Sequence, residues 1–228
     1  MHNIDRTSCV RCGTCCLKGG PALHHEDKAI LLAGHVTHSH LVTVRKGELA
    51  YDPTVDGLRP VERELVKVRG KGNGWSCCFF DEKSASCLIY EDRFLECRLL
   101  KCWDPSELVS VIGKDTIVRT DVINPGDPIV QVIEMHERQC PGHEVEDLLA
   151  ELSRETGKTG AQAISRLTKV VRKDLAIRFY AVSELGLKEE HENFIFGRPL
   201  FKVLASRGIS VRLPADSLAA AYLNSNTS

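Results

Sequence analysis

The chain has 228 residues, 43% of them hydrophobic and 27% charged, with 30 basic against 31 acidic residues and a formal charge of −1. That length suits one large domain or two small ones, and the balanced charge supplies no field toward nucleic acid or an anionic membrane. Ten cysteines stand out, because a secreted disulfide scaffold is shorter and denser in cysteine. The opening residues, Met1 to Ser8, carry no apolar signal core, and the aliphatic run 29–33 is too short for a bilayer. The expectation is a cytoplasmic, bacterial-type protein whose clustered cysteines hold metal.

In chain order, residues 1–20 read as a glycine-punctuated cysteine loop, followed by a short helix over 26–32. Alternating apolar residues predict strands over 41–51 and 64–69, and the glycine-rich stretch 70–74 predicts a turn. A hairpin is expected from 77–80 and 87–90, joined by 81–86, then a helix over 93–101. Asp104 and Pro105 open a helix, Asp127-Pro128 opens another to about 138, and Cys140-Pro141-Gly142 ends it. Further helices are expected over 144–155, 159–185 and 199–206. The longest of these should bury Ile164, Leu167, Val171 and Leu175. A short strand over 209–213 and a frayed tail over 215–228 complete the reading. The fold class predicted is α+β: a cysteine-cluster region over 1–104, then a helical region over 105–214.

The chemistry concentrates in the cysteines. Cys9, Cys12 and Cys15 are spaced by two residues on one loop, so the intervening backbone can turn and aim its N–H groups at the sulfurs. That spacing serves ferredoxin clusters, and Cys12-Gly13 equally suits a zinc knuckle. A second group comprises Cys77, Cys78, Cys87, Cys97 and Cys102. Neighbours on a strand face opposite ways, so one member of each doublet is expected to be a bystander.

The order Cys9-x2-Cys12-x2-Cys15-Cys16, Cys78-Phe79-Phe80, Cys87-Leu88-Ile89-Tyr90 with Arg93, Cys97-Arg98 and Cys102 resembles the YkgJ family of cysteine-cluster proteins. The resemblance covers residues 9 to about 102 and implies zinc or iron chelation by Cys9, Cys12, Cys15, Cys16, Cys78, Cys87, Cys97 and Cys102. Phe94 stands where that family usually has proline, which is expected to loosen the turn. Cys77 is an extra thiol whose role can exchange with that of Cys78. Arg98 is expected to bond a sulfur and so help hold the cofactor.

Other signals are weaker. His24, His25, His35, His38 and His40 read as exposed loop residues. His136 and Cys140 share a helix face; a terminal histidine and a buried cysteine are preferred to a second metal site. Arg166, Lys169 and Lys173, with Arg172 and Arg178 nearby, read as a solvated face. Asp104, Asp121 and Asp127 occupy turn or cap positions, and no cosubstrate or nucleophile motif is present, leaving catalysis unassigned. The preferred function is an iron–sulfur cluster used for electron transfer or in support of another enzyme. The alternative is one or two structural four-cysteine zinc sites beside a partner-binding helical region. A redox or protein partner is expected at the helices, and neither nucleic acid nor membrane.

Overall fold

A computed structural model of the chain describes residues 8–72, 74–154 and 158–210. The helix α1 (Thr14–Lys18) follows the first cysteines, and α2 (Lys28–Leu32) continues a 3-10 turn. Four strands come next: β1 (Leu41–Val44), β2 (Leu49–Asp52), β3 (Gly57–Pro60) and β4 (Leu65–Val68). The short pair β5 (Phe80–Asp81) and β6 (Ser86–Cys87) precedes α3 (Leu95–Leu99) and α4 (Ser106–Val111). Helices α5 (Ile129–Gln139), α6 (Gly142–Arg154), α7 (Lys158–Leu185), α8 (Glu192–Phe196) and α9 (Leu200–Ala205) complete the described chain. Short antiparallel strands followed by helices make this the α+β arrangement expected. The expected strand over 209–213 lies mostly outside the described residues, and the tail over 215–228 entirely so.

Strand β1 pairs antiparallel with β4, Leu41 opposite Val68 and Val44 opposite Leu65. The inward residues Leu41, Thr43, Val66 and Val68 are buried, as period-two alternation requires. The other edge of β4 carries an extended segment, with Leu23 donating its N–H to the Val66 carbonyl at 2.9 Å and Val68 donating to Pro21 at 2.9 Å. Ile117 in turn donates to Leu23 at 3.0 Å, so residues 21–25 lie between β4 and the chain around 116.

The expected strand over 41–51 is broken in two. Gly47 adopts a φ of 87°, and the Glu48 N–H closes a tight turn on the Arg45 carbonyl at 3.0 Å. A side chain at Gly47 would also meet the His143 backbone, so glycine serves both the turn and the close approach. After the turn, β2 pairs with β3, a hairpin the sequence reading did not contain. Asp52 makes it by accepting the Thr54 N–H at 2.8 Å, an Asx turn.

The apolar core runs from Leu23 to Leu204 without a break between strands and helices. Ile129, Val132 and Ile133 of α5 and Val145, Leu148 and Leu149 of α6 contribute to it. From α7 it receives Ala163, Leu167, Val170, Val171 and Leu175. Ile164 is the exception to the expected stripe, being 55% exposed. It sits one residue, about 100° of helix rotation, off the line that Ala163 and Leu167 define. No described helix is long and apolar enough to cross a membrane.

The same stripe of α7 ends in charges. Asp174 and Arg178 are fully buried, and Arg178 donates to Asp174 at 2.9 Å and to the Gly197 carbonyl at 3.0 Å. Arg178 therefore does not belong with the exposed Arg166, Lys169, Arg172 and Lys173. His136 Nε2 lies 2.7 Å from the same oxygen, Asp174 Oδ1, and Leu200 donates its N–H to Oδ2 at 3.0 Å. One aspartate thus gathers α5, α7 and α9, with α8 fixed to β1 through Thr43 donating to the Phe194 carbonyl at 2.5 Å.

Candidate metal centre

The first cysteines lie on a loop with two left-handed residues, Arg11 at φ 54° and Gly13 at φ 75°. These turns let the Arg11 N–H reach back to Cys9 Sγ at 3.4 Å, the donor pattern of a metal knuckle. The Cys12 sulfur lies 3.3 Å from Thr14 Oγ1. Gly13 is required twice over: besides its φ, a Cβ there would run into the Phe80 ring. The glycine therefore seats the loop on the β5–β6 hairpin and starts α1, which carries Cys15 and Cys16 with their sulfurs 3.9 Å apart.

The hairpin supplies the next thiols. Cys77 donates its N–H to the Cys16 carbonyl at 2.8 Å, and Phe80 stands opposite Cys87 in the β5–β6 pair. Cys78 instead donates its N–H to the Arg69 carbonyl at 3.0 Å and directs its thiol toward the His40 carbonyl at 3.9 Å. Cys77 is buried at a bridge to Gly70, and Cys78 is half-buried in the turn that follows, with the two thiols near enough to interact. The expected strands 77–80 and 87–90 shorten to two residues each. The connection bonds within itself instead, Asp81 accepting the Lys83 N–H at 3.2 Å.

Helix α3 brings Cys97. Two buried or half-buried acids hold it in place: Asp27 accepts the Leu95 N–H at 2.8 Å and the His24 N–H at 2.9 Å, while Glu96 accepts the Ala22 N–H at 2.9 Å. Phe94, at the turn into α3, has a φ of −59°, the value proline would impose, and is 1% exposed. The substitution therefore keeps the backbone path and adds an aromatic anchor 6.4 Å from Phe79, rather than loosening the turn. Cys102 lies exposed in the turn after α3.

Arg98 donates to the Arg93 carbonyl at 2.7 Å and pairs with Glu26. Arg93 donates through Nε to the Tyr90 carbonyl at 2.8 Å. Its guanidinium lies 3.8 Å from the Tyr90 ring centroid, and that of Arg11 lies 3.9 Å from the same ring.

The inner thiols sense one another. Burial first, then Cys15, Cys77 and Cys87, pushes the Cys16 thiol up to about 12. Burial also raises Cys97, with Cys77, Cys16, Cys15 and Cys87 adding to it, and Cys87 rises by burial with Cys77 and Cys15 adding. Cys78 moves the other way, lowered first by its hydrogen bond with Cys77 and then by Arg69 and Lys71 against the burial. Thiols from α1, the hairpin and α3 thus share one electrostatic neighbourhood. Of the eight expected ligands, Cys15, Cys16, Cys87 and Cys97 lie in this neighbourhood, and Cys77, outside the expected set, lies there too.

The histidines are less uniform than expected. His25 and His35 are exposed, but His24 is 1% exposed with Nε2 3.4 Å from Glu96, and His38 stacks on Phe194 at 4.2 Å. His40 lies 4.9 Å from Phe79. The spacing of these residues carried no sign of burial, because their partners come from distant segments. His136 and Cys140 are both buried; His136 engages Asp174, and Cys140 directs its thiol to the Val170 carbonyl at 3.7 Å. The three aspartates are turn and cap residues as expected, accepting the N–H groups of Ser106, Val118 and Ile129 at 3.1, 2.9 and 2.9 Å.

Among the described residues no three His, Cys, Asp or Glu side chains converge at single-ion distance as they stand. The donor chemistry nevertheless suits a thiophilic metal. The donors are sulfur throughout, an N–H already points at Cys9, and a bound cation would favour the thiolates that burial and then mutual repulsion disfavour at Cys16, Cys87 and Cys97. Neither the curated proteins nor the solved structures compared with the chain gave a match. A comparison with protein families matches residues 8–120 to CxxCxxCC, described as "Putative zinc- or iron-chelating domain". Residues 8–120, just under half of the chain, thus form a domain of the CxxCxxCC family.

Proposed function

We propose that the chain holds an iron–sulfur cluster for one-electron transfer or in support of another enzyme. The observation that carries this is the Cys9-x2-Cys12-x2-Cys15 loop, a spacing that wraps ferredoxin clusters, seated against the hairpin that bears Cys77 and Cys87 through the Cys77 N–H on the Cys16 carbonyl at 2.8 Å. Cys77 takes the ligand position that the family pattern gives to Cys78. When bound, the cluster supplies the electron-transfer chemistry. The chain's own residues hold the sulfurs, donate the Arg11 N–H to Cys9, and set Arg11 and Arg93 nearby to offset the negative charge of thiolate ligands.

A second reading, two structural zinc sites, draws on one feature. The Cys9–Arg11 knuckle and Cys12-Gly13 form a unit whose two left-handed residues suit a zinc knuckle. In either case the helices from α5 onward supply the surface for a protein partner, in a cytoplasmic setting. Electron paramagnetic resonance of anaerobically purified protein, before and after dithionite, separates the two. A signal that appears or changes on reduction supports the cluster, and silence in zinc-loaded protein contradicts it.

A further inference from the structure

Tyr90 is clamped between two cations. The Arg11 guanidinium covers one contact at 3.9 Å from the ring centroid and the Arg93 guanidinium another at 3.8 Å. Arg93 is itself fixed, donating to the Tyr90 carbonyl at 2.8 Å and accepting Arg98 on its own carbonyl at 2.7 Å. Arg11 has no comparable support along the chain: it is exposed, and its backbone is in the left-handed region at φ 54°, where a residue other than glycine is uncommon. Yet that conformation is what aims its N–H at Cys9 Sγ.

We infer that Tyr90 is a positioning residue for the metal loop, its ring face holding Arg11 so that the Arg11 N–H stays on the Cys9 sulfur. The inference rests on the metal-centre reading above and adds to it a connection from α3 to the first ligand. Arg98 steadies Arg93, Arg93 and Tyr90 lock each other, and Tyr90 holds Arg11 by a cation–π contact. The hydroxyl has no part in this; the ring face is what matters.

The test compares Tyr90→Phe, Tyr90→Leu and Arg11→Gln in the full chain, after circular dichroism has shown each to be folded. Two rates are measured: release of iron or zinc to an excess of chelator, and alkylation of Cys9, followed by peptide mass, in metal-free protein. Tyr90→Phe is expected to match the wild type in both. Tyr90→Leu, which keeps bulk and loses the π face, is expected to speed both by about two- to fivefold, the range a partly exposed cation–π contact supports. Arg11→Gln should do the same, and the double variant should be no faster than either single one. Should Tyr90→Leu not fold, the exposed Arg11→Gln change together with Tyr90→Phe carries the comparison. A Tyr90→Leu or Arg11→Gln protein with wild-type rates overturns the inference, as does damage from Tyr90→Phe equal to that from Tyr90→Leu. Wild-type protein without bound metal would overturn the metal reading alone, since Cys9 alkylation still reports on Tyr90.

Discussion

Cys77 donates its backbone N–H to the carbonyl of Cys16 at 2.8 Å, so the hairpin and the amino-terminal cysteine helix meet through the two residues whose thiols also interact. The neighbouring Cys78 faces Arg69 and His40. This relationship distinguishes the doublet experimentally. Cys77→Ser is expected to lose most of the bound metal, and Cys78→Ser to retain it. Metal content per folded chain checks this, and the reverse order would return the ligand role to Cys78.

Gly13 makes a second expectation. Gly13→Ala places a methyl group against the Phe80 ring at a backbone φ of 75°. Either the loop or the ring must move, and overpacking of this kind costs about 1–3 kcal/mol. Chemical denaturation should report the loss, with metal retention falling more than the stability of the helical region.

Asp174 anchors the helices through Arg178, His136 and Leu200. Asp174→Asn keeps the shape but removes the nearer of Arg178's carboxylate partners, leaving Glu192 at 3.5 Å, and puts a donor where acceptors stood. The expected loss is about 3–5 kcal/mol, read from urea midpoints.

The same network fixes a pH dependence. Burial lowers the His136 pKa, so the folded ring stays neutral while the unfolded ring protonates near pH 6.5. Its Nε2–H then serves Asp174 and its Nδ1 faces the Arg45 guanidinium at 3.4 Å. The unfolded state takes up the extra proton, so stability falls as pH drops through that window. Burial pushes Asp174 up, but Arg178 and the His136 hydrogen bond outweigh it and hold the carboxyl well below its usual range. A further loss should follow as pH drops below about 4, where the unfolded carboxyl protonates. Thermal melts between neutral and acidic pH should fall in both windows. A flat profile through the first would mean that His136 is charged in the folded protein.

Much of the helical half was legible because its signals are local. Asp127-Pro128 and Cys140-Pro141 bracket α5, and Leu167, Val171 and Leu175 repeat on one face of α7. The β2–β3 hairpin was not, since its turn depends on Gly47 closing against His143, a residue far along the chain. Helix α8 was missed for a related reason: five residues hold it only by docking Phe194 and Phe196 into the core. The cysteine spacing pointed to the chelating domain that the family comparison matches. It left the facing of Cys77 open, and it gave no sign of buried His24, whose partner Glu96 lies on α3.

The central claim, that these thiols hold an iron–sulfur cluster, is tested most directly by quantifying iron, acid-labile sulfide and zinc per chain after anaerobic purification. Brown protein with matched iron and sulfide is the expected result. Colourless protein with stoichiometric zinc would contradict it.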